Sequence, residues 1–265
     1  MKISLIISTY NWPEALFLVL DSIRRQTIPP DEIVIADDGS NDKTKDLISY
    51  FNKEFVMNII HSWQKDKGFR AAKSRNKAIL KSSGSYIVLI DGDIIMHPNF
   101  IKDHITNAEP GHFIQGSRAL LSEKETKKIL NGKKTNFYFF SLGLKNRKNV
   151  IYSKFLSQIF SNKKNHLKGV KTCNMAFYRE DCININGFNN DFEGWGREDS
   201  EFVARLINNR VKRKSIYFSA IQLHLWHNEN SRMSLKRNDL MLHNVINNRI
   251  KWCKNGINTI KKNGS

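Results

Sequence analysis

The chain has 265 residues, 40% of them hydrophobic, which is enough for one large α/β domain with a real core. No window approaches the ~20 consecutive apolar residues that a membrane-spanning helix needs, and residues 1–8 lack the length and cleavage site of a signal peptide. The net charge of +18 leaves three classes of partner open: nucleic acid, an anionic membrane surface or an anionic substrate.

Residues 3–8 read as an apolar strand that runs into Thr9, Tyr10 and Asn11. Pro13 then opens a helix at the position where its missing N–H costs nothing. Ala15, Leu16, Val19, Leu20 and Ile23 give that helix an apolar face at the 3.6-residue period. After Pro29 and Pro30 a second strand, residues 32–36, leads into Asp37-Asp-Gly-Ser40. A helix over about 43–51, a strand near 56–61 and a basic, alanine-rich helix over 69–82 follow, the last with Gly84 as its stop.

The run Tyr-Ile-Val-Leu-Ile at 86–90 is too short for a helix and apolar throughout, so it reads as a strand buried on both faces. It ends in Asp91-Gly-Asp93. That puts two carboxylates at the carboxyl end of a central strand, the edge where open α/β sheets bind ligands. Such a pair needs a cation beside it, and a divalent metal holding a diphosphate fits. A solvated turn with two chance aspartates is the plain alternative. The alternation of strand and helix predicts an α/β fold with a doubly wound, mostly parallel sheet whose first half binds a nucleotide. Its first, second and fourth strands bring Thr9, Tyr10 and Asn11, then Asp37 and Asp38, then Asp91 and Asp93 to one edge. No Gly-x-Gly-x-x-Gly or Walker loop follows the first strand, which argues against a dinucleotide oxidoreductase or a P-loop NTPase. Arg75 could set a guanidinium near a phosphate, although its spacing alone favours an exposed helix arginine.

The strings Ser8-Thr-Tyr-Asn11, Asp37-Asp-Gly-Ser40, Gly68-Phe-Arg-Ala-Ala-Lys-Ser-Arg-Asn76 and Asp91-Gly-Asp93 resemble the signature of the inverting family 2 glycosyltransferases with the GT-A fold. The similarity covers the first ~120 residues and, through a second set of motifs, roughly residues 170–235. It implies nucleotide-sugar contacts for Thr9, Tyr10, Asn11, Asp38, Arg75, Asp91, Gly92 and Asp93. In particular, Thr9, Tyr10 and Asp38 would line the nucleobase and ribose pocket, Asp91 would face the ribose, and Asp93 would bind the metal, Mn²⁺ or Mg²⁺, that clamps the diphosphate.

Residues 119–168 form a basic and aromatic insertion with Phe137-Tyr-Phe-Phe140, Phe155 and Phe160. Aromatics among cations can stack on nucleic acid. The insertion reads more simply as helices or a lid on the acceptor side. Beyond it, Asn174 lies in Lys171-Thr-Cys-Asn-Met, and Gly194-Trp-Gly-Arg-Glu-Asp199 opens a helix over about 202–208. Acids in a first helical turn are ordinary punctuation. The string nevertheless resembles the Gly-Trp-Gly-x-Glu-Asp motif of β-1,4-galactosyltransferases and bacterial chondroitin-type polymerases. That resemblance implies that Asp199, with Glu198, supplies the general base, and that Trp195 stacks on sugar with Asn174 on the same acceptor side. Arg197 stands where the galactosyltransferases have Gly, so galactose is not implied and the pocket is expected to differ.

A strand over 215–218 and a loop over 220–231 come next, carrying His224 and His227. Lone histidines are more often packed or surface residues. The resemblance implies that a histidine after the Glu-Asp pair completes the metal site, with His227 best placed and His224 the alternate. Residues 235–253 look helical and basic, and 257–265 form a basic tail that could rest on anionic lipid. Cys173, Cys182 and Cys253 show no metal spacing and read as reduced thiols of a cytoplasmic protein.

The expectation is therefore a single GT-A domain. It divides into a nucleotide-sugar half (1–118), the insertion (119–168), an acceptor and catalytic half (169–234) and a basic end (235–265). The implied activity is inverting, metal-dependent transfer from a nucleotide sugar, UDP-linked by preference. The implied acceptor is a cell-surface glycan such as lipopolysaccharide, lipooligosaccharide or capsule, which an anionic group and peripheral attachment to the inner membrane face would suit. A nucleotidyltransferase would show a Gly-rich phosphate loop near the first strand, and none is present. A nucleic-acid-binding module rests on charge and aromatics alone, so nucleic acid is not expected as a partner.

Overall fold

The computed structural model describes residues 1–132, 139–229 and 231–262. Phe137 and Tyr138 of the aromatic cluster and the last three residues of the tail lie outside them. In chain order, β1 (Ile3–Thr9), α1 (Pro13–Arg24), β2 (Glu32–Asp37), α2 (Asp42–Glu54), β3 (Ile59–Trp63), α3 (Ala71–Lys81) and β4 (Tyr86–Asp91) make up the half expected to bind a nucleotide. There follow β5 (Ile94–Met96), α4 (Phe100–Asn107), β6 (His112–Gln115), β7 (Ala119–Leu121), α5 (Glu123–Leu130), β8 (Leu144–Lys145) and α6 (Lys154–Phe160). The chain closes with β9 (Met175–Tyr178), α7 (Arg179–Asn184), α8 (Glu198–Asn208), β10 (Lys212–Ser215), β11 (Gln222–His224), α9 (Leu235–Asn247) and α10 (Ile257–Lys262).

A seven-stranded sheet runs β10-β6-β9-β4-β1-β2-β3. It is parallel except at β9, which pairs antiparallel with both β4 and β6. Strand residues alternate between two cores, as the two-residue period of a strand requires. Leu5, Ile7, Ile35 and Val88 pack with Leu16, Leu20 and Phe51 on the α1 and α2 face, while Ile6, Val34 and Leu89 pack with Ala72, Ile79 and Phe202 on the α3 and α8 face. The result is a helix–sheet–helix sandwich, the doubly wound architecture expected. A second sheet, β5-β11-β7-β8, stands beside the carboxyl end of β4.

Register puts the functional edge together. Ser8 pairs with Asp91 and Thr9 with Asp37, so the ends of β1, β2 and β4 lie side by side.

Several local expectations need correction. Gly84 is not the stop of α3, which ends at Lys81. Its hydrogen faces Ser4, and a Cβ there would lie 2.3 Å from the Ser4 hydroxyl. β3 begins at Ile59 and not near 56, because the Asn52 side chain brackets the backbone of Ile59. The strand expected over 215–218 is β10, Lys212–Ser215; Phe218 and Ala220 turn the chain with positive φ. The expected loop after it contains β11, antiparallel to β5, which carries His224 to the site. The tail is helical over Ile257–Lys262. All three cysteines are buried and free. No helix among the described residues is long and apolar enough to cross a membrane.

Candidate active site

At the end of β1 the chain bends to meet the end of β2. The Thr9 carbonyl accepts the Asp38 N–H at 3.1 Å. Asn11 adopts the left-handed conformation that Asn tolerates, φ +46, and ties the two loops: its N–H donates to Ser40 Oγ and its Oδ1 accepts from the Asn41 N–H. Asn11 therefore shapes the rim. Tyr10 is half exposed and donates its hydroxyl to Asp66 at 2.8 Å.

The two adjacent aspartates at the end of β2 part company. Asp37 is fully enclosed and accepts the N–H groups of Gly39 and Ser40 and a contact from His61, so it builds the turn and does not face the site. Asp38 accepts from the Gln64 amide and from the Arg70 N–H at the start of α3, both at 2.6 Å. Burial pushes its carboxyl above the usual range. Asp38, Tyr10 and Phe69 wall one side of a cleft of about 340 Å³ whose other side is Gly194, Trp195 and Met233.

Arg75 overturns the exposed-helix reading, since it is 5% exposed. Its Nε donates to Ser8 Oγ at 3.1 Å, while Nη1 meets Glu198 at 3.3 Å and Nη2 meets Asp91 at 3.5 Å. Burial works against its charge, but Glu198 and Asp91 outweigh that and hold the proton more firmly than usual. One guanidinium thus joins β1, β4 and α8, which a compact ammonium could not do. Gly92 is required where it stands: its N–H donates to the Ser8 carbonyl at 2.7 Å, and a Cβ would come within 2.9 Å of that oxygen.

Asp93, His224 and His227 form a cluster whose candidate ligand atoms all lie within 4.8 Å of one another. Each histidine Nε2 is 3.4 Å from Asp93 Oδ2. The two histidines thus join in one cluster where one had been expected to serve and the other to substitute. Burial, then the neighbouring Asp91, pushes the Asp93 carboxyl up to about 8. Burial, reinforced by Arg118 and His227, drops His224 to about 3, so its imidazole stays neutral with a lone pair free. Asp93 Oδ1 is buried without a hydrogen-bond partner among the described residues. A buried, unpartnered carboxylate oxygen beside two imidazoles suits a divalent cation, which would supply the missing partner.

Across the site, Gly194 and Gly196 both have positive φ and set Trp195 at the cleft, with the Arg232 guanidinium 5.6 Å from its ring. Arg197 is also left-handed, φ +77, a conformation that suits the glycine of the resembling string and costs other residues about 1–2 kcal/mol. Its guanidinium turns away to pair with Asp239 at 2.5 Å. The expected influence of Arg197 on the pocket is corrected accordingly: it braces α9. Glu198 and Asp199 open α8, which carries the enclosed Arg205–Glu201 pair, is tied to the Ile185 carbonyl by Arg205 at 2.6 Å, and stacks Phe202 on Phe188 at 4.1 Å. Asp199 is largely wrapped by protein with part of its surface still exposed, and accepts the Ser200 N–H at 2.6 Å. Burial, then the Glu198 charge, lifts its carboxyl to about 7.

Asn174 does not reach the acceptor side. It is 1% exposed and its amide is fully used, donating to the carbonyls of Ser117 and Ala220 while its oxygen meets His104 Nε2 at 3.0 Å. Sequence reasoning passed over two cations, Arg118 and Lys171. Arg118 Nη1 contacts Cys173 Sγ and its Nε lacks a partner among the described residues. Lys171 is lowered by burial and then by Arg118, and it feels Asp199. Neither cation has a carboxylate within ion-pair distance among the described residues. No motif flags them, because their proximity is made by the pairing of β6 with β9, which brings the turn after β6 to the segment leading into β9.

A model described as "Glycosyl transferase family 2" matches residues 4–183, and one described as "N-terminal domain of galactosyltransferase" matches residues 155–227. The chain is 25% identical over 224 residues to validoxylamine A glucosyltransferase of Streptomyces hygroscopicus subsp. limoneus, covering 77% of this chain and 47% of that protein. It is 25% identical over 243 residues to chondroitin synthase of Escherichia coli, covering 83% of this chain and 33% of that one. The chain thus spans less than half the length of these relatives. Its fold matches S. aureus TarS with a TM-score of 0.63 at 16% identity, over 94% of this chain and 40% of TarS. It also matches residues 1–349 of TarS in complex with UDP-GlcNAc, with a TM-score of 0.60 at 16% identity, over 86% of this chain and 60% of that one.

Proposed function

The chain belongs to glycosyl transferase family 2 and is a glycosyltransferase, and we propose that it moves a sugar from a UDP-sugar to a glycan hydroxyl with inversion and with help from a divalent ion. The observation that carries this reading is the arrangement of two carboxylate centres about one guanidinium. The Asp93–His224–His227 cluster and Asp91 lie on the donor side of Arg75, and Glu198 with Asp199 on the other.

Asp199 is the base. Its carboxyl, held near 7, is ionised in a useful fraction at neutral pH yet basic enough to take a hydroxyl proton. As that proton moves to Asp199, the acceptor oxygen bonds to the anomeric carbon and the bond to the diphosphate oxygen breaks, releasing UDP. Attack from the face opposite the leaving group turns an α-linked donor into a β-glycoside, and no covalent sugar–enzyme intermediate is needed. Arg75 holds Glu198 and Asp91 in place, and Trp195 offers a face for a pyranose. A divalent ion on Asp93, His224 and His227 would neutralise the leaving diphosphate. Two imidazoles with one carboxylate favour Mn²⁺ over Mg²⁺, which prefers oxygen ligands and its own water.

UDP is favoured as the nucleotide because TarS, of like fold, is known in complex with UDP-GlcNAc. The uncompensated Arg118 and Lys171, near Asp93 and Asp199, support an acceptor bearing phosphate or carboxylate, such as a lipid-borne cell-surface glycan at the cytoplasmic membrane face. The test is UDP release from a panel of UDP-sugars with Mn²⁺ and anionic or neutral glycan acceptors, the new linkage being read by proton NMR. A β-linkage from an α-donor, absent in Asp199→Asn, is expected. An α-linked product would overturn the inverting mechanism.

A further inference from the structure

Residues 126–179 hold thirteen Lys or Arg and not one Asp or Glu, so about a fifth of the chain carries most of its excess positive charge. Helix α6 lies within this stretch. Ser153 caps it by accepting the Leu156 N–H at 3.2 Å, and Ser157 is its buried residue. Phe155, Ile159 and Phe160 are 69%, 57% and 53% exposed. Phe155 and Ile159 are four residues apart and share a helix face. Phe160 continues it against Phe218, 5.5 Å away. Lys154 at one end and Lys163, Lys164 and Lys168 beyond the other are all exposed. Lys163 is held by Glu109 at 2.5 Å, whereas Lys154, Lys164 and Lys168 have no carboxylate within ion-pair distance among the described residues.

The fold fixes where this face sits. The Ser153 N–H donates to the Phe218 carbonyl at 2.9 Å, and Asn162 bridges to Ser215 at the carboxyl end of β10. β10 runs parallel to β6 in the main sheet, so α6 is pinned to the edge that carries the site. The turn just before α6 is tied in as well, the Asn149 side chain donating to the carbonyl of Arg118 at 2.8 Å.

We infer that α6 and the lysines flanking it form a docking face for an anionic lipid bilayer, with Phe155, Ile159 and Phe160 dipping into the interface and Lys154, Lys164 and Lys168 meeting lipid phosphates. Exposed aromatic and aliphatic side chains flanked by Lys154, Lys164 and Lys168, which have no ion-pair partner among the described residues, match the amphipathic pattern that binds such surfaces. A nucleic acid would use the same charge, but Ile159 gives it nothing to stack on. The inference deepens the reading of a membrane-borne acceptor and rests on it for its purpose: the enzyme would meet its acceptor in the plane of the bilayer.

The test is sedimentation of the full chain with vesicles of phosphatidylglycerol and phosphatidylethanolamine, against vesicles of phosphatidylcholine alone. Parent, Phe155→Ser/Ile159→Ser and Lys154→Glu/Lys164→Glu are compared, with thermal unfolding as a check on folding. Binding to the anionic vesicles alone is expected, weakened at least roughly tenfold in each double variant, since each lysine near the surface is worth about fivefold. UDP binding should be the same in all three proteins, so failure of this inference and failure of the glycosyl-transfer reading are separable. Absence of vesicle binding, binding by either variant as tight as the parent's, or binding to RNA without binding to vesicles would each overturn it.

Discussion

Replacing Asp199 by Asn should abolish transfer and at the same time stabilise the protein at alkaline pH. The folded carboxyl is held at about 7, chiefly by burial and then by Glu198, whereas in an unfolded chain it titrates near 4. Between those values the folded protein keeps a proton that the unfolded chain has released, so stability falls as pH rises from about 4 to about 7, and the full cost is present above that. Three pH units correspond to about 4 kcal/mol. Partial exposure and coupling to Glu198 reduce this to roughly 2 kcal/mol. Asn has the same shape and no charge to bury. In urea unfolding, Asp199→Asn should be more stable than the parent by roughly 2 kcal/mol near pH 8, with the gain fading towards pH 4. Its turnover should fall by about 10²- to 10⁴-fold, and the parent's kcat/KM should rise with pH through about 7. A variant no more stable than the parent in alkali, or a gain indifferent to pH, would refute the buried-base account.

Three further substitutions probe the frame. Arg205→Ala strips the enclosed Glu201 of its ion-pair partner on the same helix, so urea unfolding should show a loss of about 3–5 kcal/mol. Arg197→Gly relieves a left-handed backbone and gives up an exposed ion pair, so stability should change by less than about 1 kcal/mol and donor binding should be unaltered. Arg118→Ala gives up a weak 3.5 Å contact to Cys173 Sγ and an Nε with no partner among the described residues, so the melting temperature should stay near that of the parent while kcat falls by about 10-fold or more.

The first half of the chain was legible because each strand there is a short apolar run bounded by turn residues, and three such runs end in polar residues at one edge. Which of those residues face a ligand was not legible. Asp37 and Asp38 are neighbours of the same type, and only the turn at Gly39 and Ser40, which consumes the first, tells them apart. Arg75 looked exposed because a helix of Ala, Lys and Arg shows no clear apolar stripe; its burial comes from Glu198, 123 residues away. Asn174 was placed on the acceptor side by its motif, yet its amide is spent on backbone carbonyls contributed by distant loops. β11 was missed because three residues, Gln-Leu-His, carry no strand signal until β5 is there to pair with them. The insertion was opaque for a different reason: its aromatics and lysines have neither helical nor strand period over most of its length, so exposure, visible only once folded, had to supply the reading.

The central claim is that a divalent ion and a nucleoside diphosphate bind together at Asp93, His224 and His227. Calorimetric titration of UDP with and without Mn²⁺, on the parent and on Asp93→Ala and His224→Ala, addresses it most directly. The account predicts that Mn²⁺ strengthens UDP binding in the parent, that His224→Ala weakens this dependence and that Asp93→Ala abolishes it. Equal UDP affinity with and without the ion, or full metal dependence surviving in Asp93→Ala, would contradict it.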